Sequence, residues 1–228
     1  MIPKKVYPLI AFVAILFACA PQQHADRLPK GFVYLSDVMP DIQIDLRYFT
    51  ANNFIGKPID GYKLPKCIVT KDAAEALKKV QNELMEYGLC LKVFDAYRPQ
   101  QAVDHFGQWA SDYTDTLYKS VYYPNIPKNK LIPEYIASNS GHSQGSTIDL
   151  TIVSADNYEQ LDMGGTFDFF GERSHVNYPD ISPVQRSNRM LLQTLMVKHG
   201  FKPYSAEWWH FTLKDEPFPD TYFNFPVK

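Results

Sequence analysis

The chain has 228 residues, 45% of them hydrophobic and 21% charged, enough for one or two domains with a full core, and global disorder is excluded. Its formal net charge is −2, and −4 without the first 20 residues, which carry two Lys and no acid, so the basic stripe that nucleic-acid binding requires is absent. Fifteen Tyr, 15 Phe and 17 Pro point to strands and long structured loops, not to a helical bundle.

Lys4 and Lys5 precede an apolar run from Val6 to Ala18, followed by Cys19-Ala20-Pro21-Gln22-Gln23. This is the pattern of an export signal over residues 1–20, with a polar tether at 21–29 and one folded domain over 30–228. The run is too short to span a membrane. Two endings fit. Leu16-Phe17-Ala18-Cys19 resembles a lipobox, which would make a lipidated Cys19 the only membrane attachment; Ala18-Cys19-Ala20 fits a cleavage site for soluble export. Either ending places the mature protein in the bacterial envelope, as a periplasmic protein or an anchored lipoprotein. There Cys67 and Cys90 are open to pairing, or are two buried thiols. No C-x-x-C is present, which disfavours a cysteine zinc site.

Phe32–Leu35 and Ile42–Tyr48 read as strands. Asn52 to Tyr62 is turn-rich and reads as a long ordered loop. Thr70 is placed to cap a helix over 71–87 with Ala73, Leu77, Val80 and Leu84 on one stripe and Gly88 after its end. A strand from Leu89 to Phe94 then runs into Asp95-Ala96-Tyr97-Arg98-Pro99. Arg98, held extended before Pro99, stands at the carboxyl end of that strand, and a helix over 99–110 follows. An arginine there can clamp a carboxylate, steady a developing oxyanion or make a surface ion pair. Tyr113 to Ala137 reads as an irregular insertion walling a site.

Ser140-Gly141-His142-Ser143-Gln144-Gly145 leads into Asp149 and a buried strand, Leu150–Val153. A loop histidine beside a strand aspartate suits a metal site, although alone the pair is also an ordinary loop before a core strand. Gly164-Gly165 brings backbone close to something, and Asp168 lies among aromatics, where a carboxylate needs a positive partner. That partner is a ligand ammonium or one of Arg173, Arg186 and Arg189. Ser182-Pro183-Val184-Gln185 is a capping box opening a helix over 183–199. Last, Glu207-Trp208-Trp209-His210 leads an aromatic strand. Three apart, Glu207 and His210 would face opposite sides of a regular strand, so a shared site requires a bend or bulge at Glu207.

Together, Ser140-x-His142-x6-Asp149, Glu207-x-x-His210 and Asp95-x-Tyr97-Arg98-Pro99 resemble the zinc D-alanyl-D-alanine dipeptidases, a branch of the zinc D-Ala-D-Ala peptidases. The likeness runs from about Tyr34 to the C-terminus. It implies a single α+β domain with a mainly antiparallel central sheet, flanking helices and a zinc cleft on the sheet, narrowed by the loops at 50–62 and 113–140. It also implies that His142, Asp149 and His210 hold one Zn²⁺, leaving a fourth position for water, with Glu207 as general base and Arg98 as oxyanion stabiliser. By the same resemblance Asp168 receives the ammonium of a small D,D-dipeptide, with Ser140 and Tyr97 also in the substrate site. Gly141 stands where members often have Ser, and Gln144 where they often have Arg. Two other activities suit the same motifs: a D,D-carboxypeptidase acting on peptidoglycan peptides, and a wall-binding lipoprotein without turnover.

Overall fold

The computed structural model describes residues 27–228; the signal segment and most of the tether lie outside the described residues. The chain forms β1 (Phe32–Tyr34), α1 (Leu35–Val38), β2 (Gln43–Ile44), β3 (Ile68–Thr70), α2 (Lys71–Met85), β4 (Leu89–Asp95), α3 (Gln100–Ser111) and α4 (Lys119–Tyr122). Then come β5 (Thr147–Ser154), α5 (Pro183–Lys198), β6 (Phe201–Tyr204) and β7 (Glu207–Leu213). A five-stranded sheet has the order β2-β4-β5-β7-β6, parallel only between β2 and β4, and β1 pairs with β3 in a small antiparallel sheet. The architecture is the expected α+β domain.

The helices form where local chemistry dictates. Thr70 accepts from the Ala73 N–H at the start of α2, whose buried stripe includes Ala73, Leu77, Val80 and Leu84. Ser182 and Gln185 close the capping box of α5 from both sides. Both helices pack on the central sheet and on each other. Helix α3 begins at Gln100, with Pro99 as its N-cap, and buries Phe106 and Trp109.

Three expectations are corrected. Only Gln43–Ile44 of the anticipated 42–48 strand pairs; Arg47–Phe49 is a 3-10 turn that delivers Tyr48 into the core. Asp45 ends the pairing, its N–H bonded to the Val93 carbonyl and its carboxylate to Arg47 Nε at 2.9 Å. β3 was not anticipated, because three residues buried on every face carry no alternation. The 113–137 insertion contains α4 and a 3-10 turn at Lys128–Lys130, pinned by Lys119 Nζ on the Ile126 carbonyl at 2.6 Å. Cys67 and Cys90 are free and buried, the second of the two readings left open for them.

Candidate metal centre and active site

The centre is built by strand register. Asp149 on β5 pairs with Asp95 on β4 and with His210 on β7, so three adjacent strands bring their chemistry into one row. Two irregularities make this possible. A one-residue bulge near Phe94 brings Asp95, not its neighbour, opposite Asp149. On β7 the pairing with β6 jumps from Pro203–Phe211 to Tyr204–Glu207, and the slack residues let Glu207 turn toward His210. Glu207 Oε2 lies 3.4 Å from His210 Nδ1, as a shared site requires.

His142 sits in a 3-10 turn, Gly141–Gln144, that Ser140 Oγ caps and Gly145 ends at φ +88°. Its Nδ1 is 2.8 Å from the Ala96 carbonyl, an acceptor only, so Nδ1 carries the hydrogen and Nε2 keeps a free lone pair. That Nε2 is 3.2 Å from Asp149 Oδ2 and 3.3 Å from His210 Nδ1, and His210 Nδ1 is 3.0 Å from Asp149 Oδ1. Asp149 Oδ1 is buried and, despite that short approach, is not aligned for a hydrogen bond. With an Asp149 oxygen beside each histidine, the three side chains are close enough to share one ion, and two nitrogens with a carboxylate oxygen are a donor set that suits zinc. Among the described residues these three are the only His, Cys, Asp and Glu cluster that gathers its donor atoms within 4.8 Å. The residues present fit the ion.

Charge is tightly balanced here. Burial alone would push the Asp149 carboxyl up, but His142 and His210 outweigh it and hold it below the usual carboxylate range. Burial pushes His142 down, against the pull of Asp149. His210 is also lowered by burial, yet the carboxylates of Asp149 and Glu207 raise it overall. Glu207 is raised, chiefly by burial and further by the charge of Asp149. Arg98 donates its Nε to Asp95 at 2.9 Å and brings an Nη to 3.5 Å from Asp149, with its guanidinium over the rings of Tyr48 and Phe106.

These groups line a cavity of about 440 Å³ whose walls include Phe54, Phe106 and the 133–141 segment. Asp168 lines it too, at φ +62°, a strained value for a residue with a side chain. Its carboxylate accepts from Tyr48 Oη at 3.1 and 3.0 Å, and among the described residues it forms no ion pair. Arg173 and Arg189 bond instead to the Gly164 and Met163 carbonyls, and Arg186 to that of Pro179, which removes the internal ion pair as an explanation. Burial first, and then the charge of Asp149, raise the Asp168 pKa well above the usual carboxylate value. A larger cleft of about 1230 Å³ lies behind the 167–170 segment and contains none of the three candidate metal ligands.

Ser140 lines the cavity. Tyr97, expected in the substrate site, does not: its ring stacks on Phe225 at 4.1 Å and its hydroxyl donates to the Phe225 carbonyl at 2.8 Å. Beyond the strand end, Tyr97 and Arg98 point apart. At Gly141 a Cβ would stand 3.0 Å from Thr147 Oγ1, so a larger residue there requires the Thr147 side chain to give by a few tenths of an ångström. Gln144 donates to the Pro219 carbonyl. The sequence reading gave no role to Tyr48, which is 120 positions from Asp168, nor to Asp95, although it stands three residues before Arg98 in a motif already singled out.

Residues 29–228 match the peptidase M15 family, described as D-ala-D-ala dipeptidase. A D-alanyl-D-alanine dipeptidase of Enterococcus faecalis is 45% identical over 201 residues, covering 88% of this chain and 100% of the relative. Proteins of the same name from Streptomyces coelicolor and Escherichia coli are 40% and 38% identical, over 86% and 79% of this chain and 98% and 83% of their own lengths. With a match across nearly all the described residues, the chain belongs to the peptidase M15 family of D-Ala-D-Ala dipeptidases.

Proposed function

We propose that this protein is a zinc-dependent dipeptidase that hydrolyses free D-Ala-D-Ala to two D-alanines. One juxtaposition carries the reading: His142, Asp149 and His210 converge on one point with Glu207 beside them, in a cavity that also presents Arg98 and Asp168. The names of the relatives point to the same substrate. Zinc, when bound by the three ligands, would polarise the scissile carbonyl and bring the pKa of a coordinated water to about 7. Glu207, its pKa raised by burial, takes the proton of the attacking water and returns it to the leaving amine. Arg98, its Nε held by Asp95 and one Nη beside Asp149, has Nη hydrogens left to donate to the carbonyl oxygen as charge develops on it. Asp168, steadied by Tyr48, accepts the free ammonium and so selects a dipeptide over a chain extended on its amino side.

The test compares D-Ala-D-Ala with L-Ala-L-Ala and N-acetyl-D-Ala-D-Ala on zinc-loaded and chelator-stripped protein. Only the free D,D-dipeptide with zinc present is expected to turn over, and Glu207→Gln is expected to keep one zinc per chain while losing roughly 10²- to 10⁴-fold in kcat. Full activity after stripping would refute the zinc dependence, and rapid cleavage of the acetylated peptide would make the protein a D,D-carboxypeptidase. The charged and apolar start of the chain supports export, which cell fractionation and palmitate labelling with and without Cys19→Ala would test.

A further inference from the structure

The Asp95 carboxylate is fully buried, and both its oxygens are committed. Oδ2 accepts from Arg98 Nε at 2.9 Å, and Oδ1 accepts from Tyr62 Oη at 2.6 Å. With an oxygen pinned on each side the carboxylate cannot rotate, and Arg98 Nε is fixed while the Nη groups are left for Asp149 and the cavity. Tyr62 lies outside that cavity's lining, on the 59–62 loop. The loop is held in turn by the end of the chain: the Val227 N–H donates to the Gly61 carbonyl, and Lys63 and Leu64 donate to the Val227 carbonyl, at 2.8, 2.8 and 3.1 Å. The same tail reaches the other side of Arg98. Phe223 accepts from the Gln100 N–H and donates to the Ser143 carbonyl, while Ser143 Oγ donates to the Arg98 carbonyl.

We propose that Tyr62 is a positioning residue for Arg98, acting through Asp95, and that the C-terminal segment around Val227 holds Tyr62 in place for it. The proposal rests on the reading of Arg98 as the group that meets the developing oxyanion. Removing the Tyr62 hydroxyl leaves Asp95 Oδ1 buried without a partner. The carboxylate, held from one side only, then turns toward Arg98, its remaining donor, and the guanidinium leaves its place. A misplaced oxyanion donor weakens the transition state and leaves the bound ground state nearly as it was.

The experiment is a double-mutant cycle on the full zinc-loaded chain with D-Ala-D-Ala as substrate. Tyr62→Phe is expected to lower kcat by about tenfold or more, with KM within about twofold and zinc content unchanged. In an Arg98→Ala background the same substitution is expected to cost less than about twofold, since the group it positions is gone. Deleting Val227 and Lys228 is the second variant, read in the same two backgrounds with the same pattern expected, and it serves if Tyr62→Phe does not fold. Equal losses in both backgrounds, or a single variant within about twofold of the wild type, would overturn the proposal. An inactive wild type would overturn the dipeptidase reading and this one together; an active wild type with indifferent variants overturns this one alone.

Discussion

In the proposed dipeptidase Asp168 is the residue that would receive the free amino terminus, and its environment sets a sign that can be measured. Buried at a strained backbone angle and facing the negative Asp149, its carboxyl is raised well above the usual value; Arg98 and the Tyr48 hydroxyl only partly oppose this. Bound zinc would offset Asp149 but would not remove the burial. Pairing with the substrate requires an ionised Asp168 and a protonated α-amine, whose own pKa is about 8. KM is therefore expected to be lowest between the raised carboxyl pKa and about pH 8, and to climb as pH falls through that raised pKa. Asp168→Asn should raise KM by roughly tenfold to a hundredfold and flatten its acid limb. KM measured against pH for both proteins decides this. A wild-type KM that does not move on acidification, or a variant that keeps the acid limb, would remove Asp168 from ammonium recognition.

At the scale of elements, what was legible in the sequence was local. The capping box at Ser182 and Gln185, the Thr70 cap and the α2 stripe are short-range chemistry, and each element begins where that chemistry puts it. The candidate ligand set came through the family resemblance carried by two short motifs, His142 with Asp149 around one turn and Glu207 with His210 on one strand; each motif alone also reads as ordinary structure. What stayed hidden depends on pairing. The bulge at Phe94 that aligns Asp95 with Asp149 leaves no mark in the sequence, and Tyr97 could not be told from Arg98 as the residue facing the cavity until the strand end was fixed. Tyr48 meets Asp168 only through tertiary packing. Gly145 is one local signal with a sharp consequence. At φ +88° it closes the turn that presents His142, its carbonyl accepts from the Thr70 N–H at 2.8 Å, and a Cβ there would overlap the Phe32 ring. Gly145→Ala is expected to lose about 2 kcal/mol or more of stability, from left-handed strain and the displaced ring together. Urea unfolding of the zinc-free protein measures that loss without metal linkage. A change below about 0.5 kcal/mol would mean that the turn relaxes freely.

For the whole molecule, the ligands meet only when the fold is complete. His142 and His210 are 68 positions apart, so the unfolded chain has no such site, and zinc bound as proposed would stabilise the native state. At a thousandfold over its dissociation constant such a ligand adds about 4 kcal/mol, and for a domain of this size each kcal/mol is worth about 2–4 °C, so chelation should lower Tm by on the order of 10 °C. The pH dependence of that gap follows from His210. Its pKa is raised in the zinc-free protein because, although burial lowers it, the Asp149 and Glu207 carboxylates prevail. Zinc must displace that proton, so zinc binding weakens as pH falls through the raised pKa. The raised pKa also stabilises the zinc-free fold fully below the unfolded value of about 6.5 and is lost as pH rises through the folded one. Both effects narrow the gap on acidification. Tm with zinc minus Tm with chelator is therefore expected to be largest near pH 8 and to shrink toward about pH 5. A gap that stayed constant over that range would place the ion away from His210, and an absent gap would remove the metal centre from the native fold.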